Sequence, residues 1–248
     1  AAAQLKGMGK YGVTGTIKHF AGNNQEFKRH DANGVVSERA LREIYFPAFH
    51  ACLKAGAKTV MSAYNKLNGI PCAMNEWLLT KVLREEWGFD GFVVSDWGAS
   101  YDVPSAIAAG TDLTMPGPLG IRNIVDAVNS GRLPEEKLDT AIRSILRVTL
   151  GSTAFTGKYP EFHLQEAYEA AEMAARESVV LLKNDGILPL DKAKIKTIGV
   201  IGPNANDRMA LIGNYHGTAS RYITVLEGIQ DYVGDDVRVL YAEGCHLY

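Results

Sequence analysis

The sequence has few cysteines, no long apolar run and almost no net charge, and each of these absences excludes certain kinds of site or partner. The 3 cysteines, Cys52, Cys72 and Cys245, lie far apart in an odd number, which argues against a disulfide framework or a metal cluster. We expect them to be small buried apolar side chains. No apolar stretch approaches the roughly 18 residues of a membrane-spanning helix. We therefore predict no membrane partner.

The charge distribution and the motifs exclude further classes of ligand. The formal net charge is −2, both signs are interspersed, and there is no basic stripe for nucleic acid and no acidic tail. Histidine and cysteine do not occur at metal-ligand spacing, and no glycine-rich phosphate loop follows a strand pattern. We predict no nucleic-acid partner, no metal and no cofactor. The sequence is compatible with a homo-oligomer.

The first residues give no cellular compartment. The chain begins Ala1-Ala2-Ala3-Gln4, without a start methionine or the charged-then-apolar layout of a secretion signal. Such a start is typical of the middle of a helix. We therefore expect that the natural N-terminus is absent, so the compartment stays unknown.

Strand and helix patterns alternate through the first 150 residues. Strand-like runs occupy residues 14–20, 57–62, 91–95 and 111–115, and amphipathic helical patterns lie between and after them, at 37–56, 76–86, 121–130 and 134–150. This alternation predicts parallel strands joined by crossover helices. Four such strands make about half of an eight-stranded barrel. The predicted fold class is α/β, a partial (β/α)8 TIM-type barrel followed by the beginning of a second α/β domain.

The predicted domain boundaries follow from a change in pattern after residue 150. Residues 151–160 contain serine, threonine, glycine and proline without periodicity, as expected for a linker. A helix is predicted over 164–183, and strands over 196–203 and 237–241. We predict a barrel segment at 1–150, a linker with a connecting helix at 151–195, and the truncated start of the second domain at 196–248.

The strand ends of the predicted barrel carry the candidate functional residues. In a parallel barrel, the C-terminal ends of the strands converge on one mouth. Here those ends carry Lys18, His19, Met61, Tyr64, Asn65, Asp96, Trp97, Asp112 and Met115. This set suits a polyhydroxylated ligand, because hydroxyl groups need donors and acceptors and the C–H face of a sugar stacks on an aromatic ring.

Asp96 is the most informative of these residues. It follows the apolar strand at 92–94, and a carboxylate near Lys18 is expected to stay ionised, as a nucleophile requires. The alternatives for Asp96 are a helix N-cap or a structural ion pair.

Less specific alternatives apply to the other candidates. Lys18 and His19 could be a strand-end pair tied to local carboxylates, Trp97 a packing residue and Arg29 a solvated loop cation. We interpret the pair at residues 30–31 as part of a surface loop rather than as a proton-relay dyad.

Several segments together resemble glycoside hydrolase family 3. They are IKHFAGNNQE at 17–26, SERALRE at 37–43, VMSAYN at 60–65, LREEWGFDG at 83–91, VSDW at 94–97, AGTDLTMP at 109–116 and ESVVLLKN at 177–184. The resemblance implies a catalytic barrel followed by an α/β sandwich domain, with the active site between them. It also implies a retaining, exo-acting β-glycosidase that hydrolyses terminal β-D-glucosyl residues of small oligosaccharides or β-glucosides.

The resemblance assigns roles to individual residues. Asp96 corresponds to the nucleophile that forms a covalent glycosyl-enzyme, and Lys18, His19 and Arg29 correspond to residues that bind sugar hydroxyls. Substrate-binding positions in the same pocket are implied for Met61, Tyr64, Trp97 and, from the second domain, Ser220. No glutamate here matches the acid/base of the β-glucosidase branch, which we expect beyond residue 248.

Other branches of the family remain as alternatives. The β-N-acetylglucosaminidases carry a second histidine in the loop that here reads Ala21-Gly22-Asn23-Asn24, which argues against that branch. Trp97 favours a glucosidase over a β-xylosidase or α-L-arabinofuranosidase, whereas the loop at 213–218 resembles xylosidase-like members. A catalytically incomplete sugar-binding fragment is the alternative from a different class.

Overall fold

The computed structural model describes residues 1–117, 120–214 and 217–247 and divides into two units, Ala1–Phe162 and His163–Tyr248. The strands of the first unit are β1 (Thr16–Phe20), β2 (Asn33–Gly34), β3 (Thr59–Ser62), β4 (Lys66–Leu67), β5 (Ile70–Pro71) and β6 (Phe92–Ser95). Its helices are α1 (Ala2–Lys10), α2 (Glu38–Ala40, Leu41–Tyr45 and Phe46–Lys54 in succession, with a π-helical middle), α3 (Trp77–Glu86, π-helical), α4 (Val103–Ala109), α5 (Ile121–Asn129), α6 (Glu135–Leu150) and α7 (Thr153–Thr156).

A parallel three-stranded sheet forms the centre of the first unit. Its order is β1-β3-β6, with Thr59 opposite Phe92 and Ser62 opposite Ser95, and the β1 register is irregular between Ile17 and Phe20. Helices α2 and α3 bury apolar side chains in the core beside this sheet. The buried face of α3 consists of Leu78, Leu79, Val82 and Leu83, a helical spacing that keeps all of them on one side. The mixed α/β class is confirmed, and a (β/α)8 barrel stays a prediction.

The strand predicted at 111–115 is wrong in its extent. Among the described residues, this segment forms one bridge, between Leu113 and Val94. The N–H of Val93, a group that could extend the pairing, donates instead to the Asp112 side chain, with 2.6 Å between N and Oδ2. A carboxylate thus occupies a position that a backbone carbonyl would hold in a longer ladder.

Helix caps and one glycine fix the local geometry of the first unit. The Ser37 hydroxyl accepts from the Ala40 N–H at 3.2 Å at the start of α2, and the Asn75 side chain accepts from the Leu78 N–H at 3.0 Å before α3. A Cβ atom on Gly91 would lie 2.0 Å from the Lys58 carbonyl oxygen. Glycine is therefore required where the chain enters β6.

A second, smaller sheet joins two of the loops that follow the central strands. Strand β2, in the loop after β1, pairs in parallel with β4, in the loop after β3, and β4 pairs antiparallel with β5. The Asn68 side chain adds hydrogen bonds of 2.9 Å to the N–H and the carbonyl of Val36. These contacts hold the two loops against each other.

The second unit contains α8 (Leu164–Ser178), β7 (Thr197–Ile201), α9 (Val225–Val233) and β8 (Arg238–Ala242). Strands β7 and β8 pair in parallel over their full length. The helix predicted over 164–183 is wrong at its C-terminal end, because α8 ends at Ser178. Val179 and Val180 follow, and β-branched residues favour extended backbone.

Three further observations bear on the sequence expectations. Cys52 and Cys72 are buried, but Cys245 is exposed, because it lies at a bend after β8 and outside the sheet, so the expectation that all three are buried is wrong. Short helix α7 lies inside the predicted linker. Within the described parts of the chain, no helix combines the length and apolarity needed to cross a bilayer.

Candidate active site

Asp96 stands where β6 ends, and its side chain is only 10% exposed. One carboxylate oxygen, Oδ1, accepts from the backbone N–H of Trp97 at 2.8 Å, and the other, Oδ2, lies 3.2 Å from Nε2 of His19. The backbone N–H of Asp96 donates to the Ser62 carbonyl of β3 at 3.2 Å. The N-cap alternative for Asp96 is wrong, because the next helix, α4, is capped by Asp102.

His19, on β1, presents an N–H group to this carboxylate. A carboxylate can only accept, so we assign the proton to Nε2. Burial lowers the pKa of His19 below its usual 6.5, the negative charge of Asp96 partly offsets this effect, and the positive charge of Lys18 adds to the lowering. The imidazole is therefore mostly neutral at pH 7, a hydrogen-bond donor rather than a permanent cation.

Arg29 and Tyr64 form a second part of the cluster. The guanidinium carbon of Arg29 lies 4.2 Å from the centre of the Tyr64 ring, and Nη1 donates to Glu26 Oε2 at 2.9 Å. That hydrogen bond lowers the pKa of Glu26, and the Asn23 side chain supports the same carboxylate at 2.8 Å. The Arg29 cation also interacts with the charges of Asp96 and His19. Arg29 is thus oriented rather than freely solvated.

The structure brings together some of the predicted residues and separates others. The charges of Lys18, Arg29 and Asp96 all act on His19, Asp96 also acts on Arg29, and Tyr64 joins them through Arg29. Met61 is half-buried on β3 opposite Val94, and Trp97 follows Asp96 with 58% of its surface exposed. Ser220 is an exposed residue of the second unit. In the loop at 213–218, Tyr215 and His216 lie outside the described residues.

Asp112 does not belong to the mouth with Asp96, contrary to the sequence expectation. Its side chain is only 3% exposed, forms an ion pair with Arg84 of α3, and accepts from the N–H of Val93 near the start of β6. Burial raises the pKa of Asp112 to about 6, although the Arg84 cation acts in the opposite direction. Asp112 therefore links elements of the fold.

Sequence reasoning missed three residues of the site. Glu26 was quoted only as part of a motif, yet it orients Arg29. The exposed side chain of His30 packs its ring 4.4 Å from that of Tyr64, and Tyr101 contacts both residues through its hydroxyl. Glu26 lies three residues from both Asn23 and Arg29, so its spacing could have indicated the pair. The spacing of His30 and Tyr101 gives no signal, because their partners lie on other loops.

The arrangement has a defined chemical capacity. A buried carboxylate that accepts from two N–H donors and interacts electrostatically with a guanidinium group is a candidate nucleophile beside donors for hydroxyl groups. Among the described residues, no group of three or more His, Cys, Asp or Glu side chains could hold a metal ion. Such a site fits a neutral, hydroxyl-rich ligand.

Comparisons with known proteins agree on one family. The description "Glycosyl hydrolase family 3 N terminal domain" matches residues 1–148, and "Glycosyl hydrolase family 3 C-terminal domain" matches residues 179–243. A beta-glucosidase of Rhizobium radiobacter is 44% identical over 255 residues, which cover 99% of this chain and 31% of that protein. An exo-alpha-(1->6)-L-arabinopyranosidase of Bifidobacterium breve is 42% identical over 230 residues, 89% of this chain and 30% of that protein.

A solved structure has the same fold. Beta-glucosidase 3B of Thermotoga neapolitana, in complex with glucose, superposes with a TM-score of 0.81 at 40% identity, over 98% of this chain and 35% of that one. The present chain spans about a third of the length of the curated relatives it matches. Since the first of the two matching domains alone covers more than half of the residues, the chain belongs to glycosyl hydrolase family 3.

Proposed function

We propose that this chain is part of a retaining, exo-acting β-glycosidase that hydrolyses terminal β-D-glucosyl residues through a covalent intermediate on Asp96. The single observation that carries the proposal is the position of the Asp96 carboxylate. It is largely buried at the end of β6, accepts a hydrogen bond from the Trp97 N–H, and lies 3.2 Å from His19. A fixed carboxylate of this kind can attack the anomeric carbon of a sugar.

The surrounding donors support a sugar as the substrate. Neutral His19 offers an imidazole N–H group 3.2 Å from the carboxylate, and the charges of Lys18 and Arg29 act on His19. We propose that they bind hydroxyls at the non-reducing end, with Met61, Tyr64, Trp97 and Ser220 as further substrate-binding residues. Hydrogen bonds to hydroxyls that strengthen as the ring flattens stabilise the oxocarbenium-like transition state.

A retaining mechanism requires a second carboxyl group, and we assign it to a part of the protein outside this segment. In a retaining glycosidase the two carboxyl groups lie about 5–5.5 Å apart, and the second one protonates the leaving oxygen and then activates water. Glu26 is paired with Arg29, and Glu38 and Glu86 are paired with Arg42, so these glutamates already have structural roles. We propose that the acid/base is a glutamate beyond residue 248.

The domain organisation proposed with this function is the one that the sequence predicts. Residues 1–150 would complete a (β/α)8 barrel with earlier strands, residues 151–195 would connect it, and residues 196–248 would begin the sandwich domain. The parallel order β1-β3-β6 and the parallel pair β7-β8 support this organisation.

The proposal is tested by Asp96→Asn in the full-length protein. The amide cannot attack the anomeric carbon, so kcat for nitrophenyl β-glucoside is expected to fall at least about 10³-fold, while the circular dichroism spectrum is retained. Asp90→Asn is the matched control, because the Asp90 side chain is 61% exposed and pairs with Lys58 on the surface. Near-normal turnover in Asp96→Asn would remove Asp96 as the nucleophile.

A pentose glycoside is the second candidate substrate. It is favoured by the likeness to the Bifidobacterium arabinopyranosidase and by the loop at 213–218. We expect kcat/KM for the β-D-glucoside to exceed those for the β-D-xyloside, the α-L-arabinofuranoside and the α-L-arabinopyranoside. A tenfold preference, about 1.4 kcal/mol in transition-state binding, for any pentoside would reverse the assignment.

A further inference from the structure

The hydroxyl of Tyr101 lies where loops after three central strands meet. Its oxygen is 3.0 Å from the Tyr64 carbonyl in the loop after β3, and 3.2 Å from the His30 carbonyl in the loop after β1. The same oxygen is 3.2 Å from Nδ1 of His30. Tyr101 itself follows β6, five residues after Asp96. One side-chain oxygen therefore connects the loops that carry Arg29, Tyr64 and Asp96.

The direction of these hydrogen bonds follows from the available protons. A phenol has one proton, which can be donated to the Tyr64 or the His30 carbonyl, and its oxygen can accept from Nδ1–H of His30. Burial raises the pKa of the Tyr101 hydroxyl, so it stays protonated and remains a donor. His30 Nδ1–H can donate to the phenol oxygen while the single phenol proton is donated to the nearer acceptor, the Tyr64 carbonyl at 3.0 Å, or shared with the His30 carbonyl at 3.2 Å.

The contacts around Tyr64 show what this arrangement fixes. Two consecutive residues of the first loop contact the Tyr64 ring, the Arg29 guanidinium at 4.2 Å and the His30 imidazole at 4.4 Å from the ring centre. The β2–β4 pairing already ties the first loop to the second. Tyr101 extends this connection to the third loop, which begins with Asp96.

We propose that Tyr101 is a positioning residue that keeps Arg29 and Tyr64 in place relative to Asp96. This inference rests on the proposed glycosidase function and adds to it a residue that acts through others rather than on the sugar. The loss of the hydroxyl would leave the His30 donor and the Tyr64 carbonyl without this partner. A displacement of about 1 Å at reacting groups can cost about 10²-fold in rate.

The test compares Tyr101→Phe with wild type in the full-length enzyme. We expect kcat/KM for nitrophenyl β-glucoside to fall about tenfold, with the Ki of a glucoimidazole transition-state analogue rising in the same proportion. A purely structural residue would change the melting temperature without this proportionality. The matched control is Tyr11→Phe, because Tyr11 is similarly exposed, at 52% against 46%, and lies at the end of α1.

A double-mutant cycle decides whether Tyr101 acts through Arg29. In an Arg29→Lys background, Tyr101→Phe is expected to reduce kcat/KM less than about twofold further, because the group that it positions has already been replaced. Equal losses in both backgrounds, or a Tyr101→Phe variant that behaves like Tyr11→Phe, would overturn the proposal.

A crystal structure of the Tyr101→Phe variant provides a readout that does not depend on activity. We expect the Arg29 guanidinium to move from its place over the Tyr64 ring relative to wild type. An unchanged position would also overturn the proposal. A wild-type enzyme inactive on every glycoside would count against the proposed function alone, and this crystallographic comparison would still decide the role of Tyr101.

Discussion

At the scale of single residues, the pairing of His19 with Asp96 has a measurable electrostatic consequence. Burial lowers the pKa of His19 and the Asp96 carboxylate raises it. We expect Asp96→Asn to lower the pKa of His19 further, because the negative charge that favours the imidazolium is lost. An NMR titration of the His19 ring checks this, with Asp90→Asn as the control. An unchanged or higher pKa in Asp96→Asn would contradict the described pair.

The same shift sets the sign of the contribution that His19 makes to stability. Its folded-state pKa lies below 6.5, so the neutral form is favoured in the fold. The stabilisation of the fold that this pKa shift provides is therefore fully present above pH 6.5, and it is lost as the pH falls through the lowered pKa of His19. His19 makes the fold less tolerant of acid.

Single residues also show what the sequence could and could not predict about the site. The proximity of Asp96 and His19 could be predicted, because both residues lie at the C-terminal ends of parallel strands, which meet at one edge of the sheet. Tyr101 could not, since its three contacts depend on how separate loops approach each other. The orientation of Arg29 could not be predicted either, because it depends on a hydrogen bond to Glu26 together with a ring contact with Tyr64.

At the scale of elements, a buried ion pair connects helix α3 to the edge of the sheet. Arg84 donates to the Gly91 carbonyl at 3.1 Å and the Gly110 carbonyl at 3.3 Å, and it pairs with Asp112. Burial raises the pKa of Asp112 to about 6, so its neutral form is favoured in the fold. The stabilisation of the fold that this pKa shift provides is fully present below pH 3.8, and it is lost as the pH rises through about 6.

Arg84→Gln is expected to destabilise the fold strongly above pH 7. The substitution leaves a buried carboxylate without its cation, a change that costs about 3–5 kcal/mol. The loss in melting temperature should be smaller at pH 5, where Asp112 takes up a proton. Arg39→Gln is the control, because the pair of Arg39 with Glu43 is exposed and such pairs contribute little. An equal loss at pH 5 and pH 8 would show that the charge of Asp112 is not the cause.

The elements differ in how far local sequence determines them. Helix α3 could be predicted with its cap and its apolar face, because both are local features. The extent of the strand at 111–115 could not be predicted, because it depends on the hydrogen bond that the Asp112 carboxylate accepts from Val93 in the folded chain. The end of α8 at Ser178 has a local signal, because the two valines that follow are β-branched and favour extended backbone.

At the scale of the whole molecule, the chain consists of two units and covers about a third of its curated relatives. The order of the parallel strands could be predicted from the alternation of strand and helix patterns. Among the described residues the central sheet has three strands, and a closed barrel stays a prediction. The proposed role of Ser220 in sugar binding likewise depends on an arrangement of domains that local sequence does not determine.

Activity of the isolated 248-residue chain tests the proposed division of the catalytic groups. We expect this piece to hydrolyse activated β-glucosides at least about 10²-fold more slowly than the full-length protein, because general acid–base catalysis contributes about 10²–10⁴-fold. A full-length Asp96→Asn variant serves as the inactive reference. Turnover by the isolated piece equal to that of the full-length protein would place the acid/base within residues 1–248.

The central claim is that the Asp96 carboxylate bonds to the anomeric carbon, and a covalent trap measures this directly. A 2-deoxy-2-fluoro-β-glucoside with a good leaving group slows the hydrolysis of the glycosyl-enzyme, so the labelled peptide can be isolated and sequenced by mass spectrometry. We expect a single fluoroglucosyl label on Asp96. A label on any other side chain would contradict it.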